Sequence, residues 1–132
     1  MTKFVLDASA VTAVLRSEHG HESVIPHLPG SLISSVNLAE VFCTARSFGS
    51  LPEMDERAIQ MLQIKIVPFD AEQAKMVANI HSQTLGGSIS IADFACMSLA
   101  LLHKLPILTG NHEWQNYDVG VDVHLFRKPG AA

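Results

Sequence analysis

The sequence predicts an α/β domain, a mainly parallel five-stranded sheet covered by helices on both faces. Two features carry the prediction. Five short apolar runs have strand length, at residues 3–7, 31–34, 65–69, 106–109 and 122–126. They alternate with helix-like segments at 9–18, 21–28, 36–48, 54–64, 71–84 and 90–103, punctuated by Pro and Gly where a chain turns.

In order along the chain, Phe4-Val5-Leu6 reads as the first strand and stops at Asp7, with Ala8, Ser9 and Ala10 opening the first helix. Pro26, Pro29 and Gly30 end the second helical segment before the second strand. Gly49 and Pro52 part the third helix from the fourth, and Gly86 with Gly87 mark the loop before the sixth. In sheets of this kind ligands gather outside the carboxyl ends of the strands. Asp7 stands on that edge.

The 132 residues suit one domain, residues 1–132, and 48% hydrophobic with 17% charged residues excludes a disordered chain. The densest apolar stretch, Ala95 to Leu102, is interrupted by Ser98 and is far shorter than the roughly 20 residues a membrane span needs. The N-terminus has Lys3 and a few apolar residues before Asp7, unlike a signal peptide, so a cytoplasmic location is expected. Cys43 and Cys96 lie in apolar helical segments and are expected as buried thiols, with no Cys/His spacing suited to zinc. A net charge of −4 argues against a general nucleic-acid coat but is compatible with a nuclease whose own site is acidic.

The placement of charge is more informative than its sum. Between Glu22 and Arg46 the only charged residue is Glu40, in "SSVNLAEVFCTA"; between Lys75 and Lys104 it is Asp93, in "SISIADFACMSLALL". Both helices are expected to be largely buried. Capping explains each acid alone about as well as function does: Asp7 as an N-cap, Asn37-x-x-Glu40 and Ser90-x-x-Asp93 as capping boxes. Capping does not require three carboxylates on one sheet edge, whereas a divalent cation does. The donors are all oxygen, which favours Mg²⁺ or Mn²⁺ and hydrolysis of a phosphodiester. "PILTGNHEW" brings Asn111 to the same edge, where a plain Gly-Asn turn is the competing explanation; His112 and Glu113 read as solvated loop residues.

These residues resemble the PIN-domain family, specifically VapC-type toxins of toxin–antitoxin pairs. The resemblance runs through "VLDASAV", "SVNLAEV", "ISIADFACMSLAL" and "ILTGNHEW", nearly the whole chain. It implies a three-layer α/β/α domain and a Mg²⁺-dependent endoribonuclease, dimeric and held inactive by an antitoxin protein. Carried onto this sequence, Asp7, Glu40 and Asp93 match the acidic catalytic and metal-binding set, and Ser9 matches a small hydroxyl residue supporting the first Asp. Asn111 departs from the Asp that many members carry, which implies one tightly held ion and a second, transient one. Water would attack an RNA phosphodiester, leaving 5′-phosphate and 3′-hydroxyl ends, with Arg16 and Arg46 as candidates to grip the RNA. The rival reading is a catalytically weak binding module. A haloacid-dehalogenase phosphatase is excluded, because Ser9 stands where that chemistry needs a second Asp. A receiver domain would need an acidic pair at the first strand.

Overall fold

The computed structural model describes residues 3–84 and 88–128. Five parallel strands form one sheet: β1 (Val5–Leu6), β2 (Leu32–Ser34), β3 (Lys65–Val67), β4 (Ile107–Thr109) and β5 (Val123–Leu125), in the order β3-β2-β1-β4-β5. The helices are α1 (Ala8–Arg16), α2 (His21–Val24), α3 (Ser35–Ser47), α4 (Pro52–Leu62), α5 (Ala71–Gln83) and α6 (Ile91–His103). The expected α/β fold with a parallel sheet is therefore present.

Alternation along each strand divides the core in two. Leu6, Ile33 and Leu108 point to one face, packing with Val11, Val41 and Phe126. Val5, Leu32 and Ile107 point to the other, packing with Phe94, Met97, Leu99 and Trp114. Both faces are covered, which is why the strands are continuously apolar.

The strand order sets the site. The chain leaves β1 toward β2 and β3, then crosses back to place β4 on the opposite flank of β1. The carboxyl end of β1 is thus a topological switch point, the position at which ligands bind in open parallel sheets. The register pairs Leu6 with Leu108, so Asp7 and Thr109 meet one step further on.

Local differences from expectation have simple causes. The segment 21–28 divides into α2 and a 3₁₀ turn at Ile25–His27, because Pro26 supplies no N–H to continue an α-helix. α4 starts at Pro52, which suits a first helical position. The Gly86–Gly87 loop lies outside the described residues. α6 is buried along nearly its whole length, as expected, from Ala92 through Ala100 except Asp93. α3 is not. It buries Asn37, Leu38 and Val41 but exposes Ala39, Glu40 and Cys43, which corrects the reading of a buried helix and of a buried Cys43. A dearth of charge marked α3 as apolar, yet Ala, Ser, Thr and Cys tolerate water, so lack of charge alone did not measure burial. Cys96 is buried as expected. Among the described residues no helix is long and apolar enough to cross a membrane.

Candidate active site

Asp7 leaves β1 in extended geometry and caps α1. Its Oδ1 accepts from the Ala10 backbone N–H at 3.0 Å and from Ser9 Oγ at 2.7 Å. Its Oδ2 accepts from Thr109 Oγ1 at 2.6 Å. The first of these bonds is ordinary N-capping. The Thr109 bond comes from another strand and is not required by a cap. With 6% exposure, Asp7 is a carboxylate almost without water. Burial pushes its pKa up, the three hydrogen bonds oppose that rise, and the negative charge of Asp93 adds to it.

The network continues outward. Gly110 N–H donates to Ser9 Oγ at 2.9 Å, and Asn111 N–H donates to Thr109 Oγ1 at 3.0 Å. Ser9 is therefore no idle surface residue of the first turn. It joins Asp7 to the backbone that follows β4.

Asp93 stands at the start of α6 in a complete capping box. Ser90 Oγ accepts from Asp93 N–H at 3.1 Å, and Asp93 Oδ2 accepts from Ser90 N–H at 3.2 Å. Oδ1 has no hydrogen-bond partner among the described residues. Partial burial raises its pKa against the lowering effect of the Ser90 bonds.

Glu40 lies in the second turn of α3, where Oε1 accepts from Asn37 Nδ2 at 3.2 Å. The anticipated Asn37-x-x-Glu40 capping box does not form, because Ser34 caps α3 instead and Asn37 is inside the helix. Buried Asn37 also donates from Nδ2 to the Ala92 carbonyl oxygen at 3.1 Å, tying α3 to the first turn of α6. Loss of water raises the Glu40 pKa, the Asn37 bond lowers it, and Asp93 raises it again.

The three acids converge electrostatically. Asp93 acts on both Asp7 and Glu40, and the buried Cys96 thiol is pushed well up by burial and then by Asp7, Asp93 and Glu40 together. That thiol stays protonated and takes no part as a nucleophile or soft ligand. Among the described residues no three His, Cys, Asp or Glu side chains close around a point tightly enough to cage an ion by themselves. The donor set nevertheless fits a hydrated Mg²⁺, which takes one or two carboxylates directly and fills its remaining positions with water and substrate oxygens. The fit rests on hard oxygen donors, on raised pKa values in all three acids, and on the unshared Asp93 Oδ1.

Asn111 is half-buried and caps the 3₁₀ turn His112–Asn116, with Oδ1 accepting from Glu113 N–H at 3.1 Å. The turn explanation for this residue is thus realised, with one lone pair of its oxygen committed to the cap. Arg16 ends α1, about 13 Å along the helix from its start, stacked 3.3 Å from the Phe48 ring centroid. Arg46 donates from Nε to Asp55 Oδ2 at 3.0 Å. Both guanidinium groups fasten the corner between α1, α3 and α4 and are occupied there. Thr109 and Asn37 escaped the sequence reading as supporting residues. A hydroxyl ending a buried strand, and an amide three positions before a lone Glu, were the available signals.

The sequence matches the PIN domain family over residues 4–120. No curated protein sequence matches the chain. Among solved structures, VapBC2 from Rickettsia felis bound to a promoter DNA fragment superposes with a TM-score of 0.75 at 16% identity, covering 94% of this chain and 98% of that one. DNA-bound VapBC from Salmonella typhimurium gives 0.75 at 19% identity, covering 96% and 100%. VapC20 of Mycobacterium tuberculosis, a toxin that cleaves the sarcin–ricin loop, gives 0.68 at 10% identity, covering 86% and 94%. The family match spans most of the sequence: the chain belongs to the PIN domain family.

Proposed function

We propose that this protein is a divalent-metal-dependent endoribonuclease, a single PIN domain over residues 1–132, acting as the toxin of a type II toxin–antitoxin pair. The observation that carries the reading is Asp7: a carboxylate at the switch point, nearly dry, held by three donors and repelled by a second acid. Such an arrangement is unfavourable in isolation and becomes favourable when a cation arrives. Asp7 and Asp93 would hold Mg²⁺, or Mn²⁺ in its place, with Glu40 beside them as a third ligand or through water. When bound, the ion supplies charge neutralisation at the phosphate and acidification of water.

The chain's own groups do the rest. Thr109 and Ser9 keep the Asp7 carboxylate in one orientation, so no reorganisation is needed when substrate enters. Glu40, with its raised pKa and an exposed position on α3, takes the proton of the attacking water. Attack by water at phosphorus breaks the bond to the 3′ oxygen and leaves 5′-phosphate and 3′-hydroxyl ends. Asn111 Nδ2 would donate to a phosphate oxygen. A protein antitoxin, a second copy of this chain and a cytoplasmic setting complete the proposal, supported by the toxin–antitoxin complexes among the structural neighbours.

Cleavage of a mixed RNA pool with added Mg²⁺ or Mn²⁺, compared with Asp7→Asn and Glu40→Gln, tests it: activity should need metal and vanish in both variants. A weak binding module is the second reading, favoured by the commitment of the Asn111 oxygen to a cap and by the acidic net charge. It is adopted if the unaltered protein binds its antitoxin while cutting no RNA at any metal concentration.

A further inference from the structure

An acidic site in a chain of net charge −4 needs cations of its own to hold a polyanion. The chain has nine Lys and Arg residues, and topology sends most of them elsewhere. Lys3 precedes β1, Lys65 opens β3, and Lys104 caps the end of α6 that leads into β4, all toward the amino ends of the strands. Arg46 is paired with Asp55, and Arg16 lies over Phe48 at the end of α1 remote from Asp7. Arg127 and Lys128 follow β5, on the edge that carries Asp7.

Of these two, Arg127 is built into the site. Its guanidinium lies against the backbone of Gly110: a Cβ there would stand 2.8 Å from Nε and 2.9 Å from Nη2. Gly110 is the residue whose N–H reaches Ser9 Oγ, which in turn reaches Asp7. On the other side, Gly20, at φ +85°, closes on the chain after β5, where a Cβ would meet the Phe126 carbonyl oxygen at 2.8 Å and Arg127 Cβ at 2.9 Å. The bare backbone of Gly110 leaves room for the guanidinium, and that of Gly20 for the chain at Phe126 and Arg127. An open depression lined by Leu125, Phe126, Arg127 and Lys128 leaves the Arg127 side chain accessible.

Its guanidinium lies 4.9 Å from the Phe126 ring centroid, a contact that does not neutralise its charge. Glu18 Oε1 lies 3.5 Å from Arg127 Nη1, but its other oxygen lies 3.9 Å from Arg16 Nε. One carboxylate between two guanidinium groups leaves a positive charge in excess. A planar guanidinium with partly unused donors matches a phosphate oxygen pair.

We propose that Arg127, seated on Gly110, binds a non-scissile phosphate of single-stranded RNA next to the acidic site; this rests on the nuclease reading above. The test uses a short fluorescein-labelled oligouridylate, titrated with the full chain in EDTA at several KCl concentrations and followed by anisotropy. Arg127→Gln should weaken binding roughly threefold to tenfold and lower the slope of log affinity against log salt by about 0.7. Glu18→Gln should do the reverse and tighten binding, since it frees Arg127. A merely structural Arg127–Glu18 tie predicts instead that both substitutions lower the melting temperature and neither moves affinity or slope. In metal-supported cleavage the same comparison reads as a raised KM with kcat retained, and it decides the matter if binding in EDTA is too weak to follow. Unchanged affinity, slope and KM in Arg127→Gln, with the unaltered protein cutting RNA, overturns this proposal and leaves the nuclease standing. An unaltered protein that neither binds nor cuts any RNA overturns both.

Discussion

Thr109→Val is the sharpest probe of how the fold holds its central acid. Valine keeps the shape of threonine and removes the donor that reaches Asp7 Oδ2 at 2.6 Å. A hydrogen bond to a charged group contributes about 1.5–3 kcal/mol, and here the acceptor is buried with no water to replace the lost partner. The cost depends on pH. Burial already raises the Asp7 pKa above its ordinary value, and losing Thr109, the largest of the opposing influences, raises it further. For a carboxyl whose folded pKa is raised, the unfolded chain releases its proton first, so stability falls as pH climbs from the unfolded value to the folded one and stays lower above it. The variant should therefore lose about 2 kcal/mol where Asp7 is ionised and progressively less as the pH is lowered through the raised folded pKa, below which the carboxyl is protonated in both proteins. Urea melts in EDTA at a series of pH values measure this directly. A loss below about 0.5 kcal/mol at neutral pH, or one that does not change with pH, refutes the claim that Thr109 stabilises the ionised carboxylate.

Other consequences are readily measured. Mg²⁺ or Mn²⁺ should raise the melting temperature by binding the folded site alone, and Asp7→Asn or Asp93→Asn should abolish the rise; a rise that persists in both places the ion elsewhere. In chelator, Asp93→Asn keeps an oxygen for the Ser90 N–H and removes repulsion, so it should be neutral or slightly stabilising, while Asp93→Ala breaks the capping box and should cost about 0.5–2 kcal/mol. Equal melts for the two would contradict that division of roles. Asn37→Ala strips the donor shared by Glu40 and the Ala92 carbonyl and should destabilise by about 1–3 kcal/mol, visible in denaturant melts. Asn111→Asp preserves the cap on Glu113 N–H and adds a charge, so RNA cleavage should reach half its maximum at lower Mg²⁺. An identical metal dependence would remove that side chain from the site.

The sheet and its edge were legible in the sequence because both are written in local chemistry. Apolar runs of strand length, broken by Pro and Gly, gave five parallel strands, and Asp7 is where the first of them had to stop. Asp93 was legible as an isolated acid opening an apolar helix, and its capping box was readable from Ser90 three residues before. The support of the site was not legible. Thr109 meets Asp7 across 102 positions of sequence, and Asn37 meets Ala92 across 55, so no local pattern could announce either contact. α3 misled in another way. Its lack of charge looked like burial, but its small and weakly polar residues leave Glu40 and Cys43 in solvent, with Glu40 near enough to Asp93 to feel its charge.

β1 is only two residues long, yet it is the middle of the sheet, and the acid that ends it is secured by a strand from the far end of the chain. Asp7 and Thr109 stand 102 positions apart, so their contact closes only after the intervening strands and helices exist. Long-range closure of that kind is slow and comes late in folding. Any fragment that ends before Ile107 has no β4, no Gly110 N–H for Ser9 and no third donor for Asp7. The acidic centre is thus assembled only once β4 has joined the sheet.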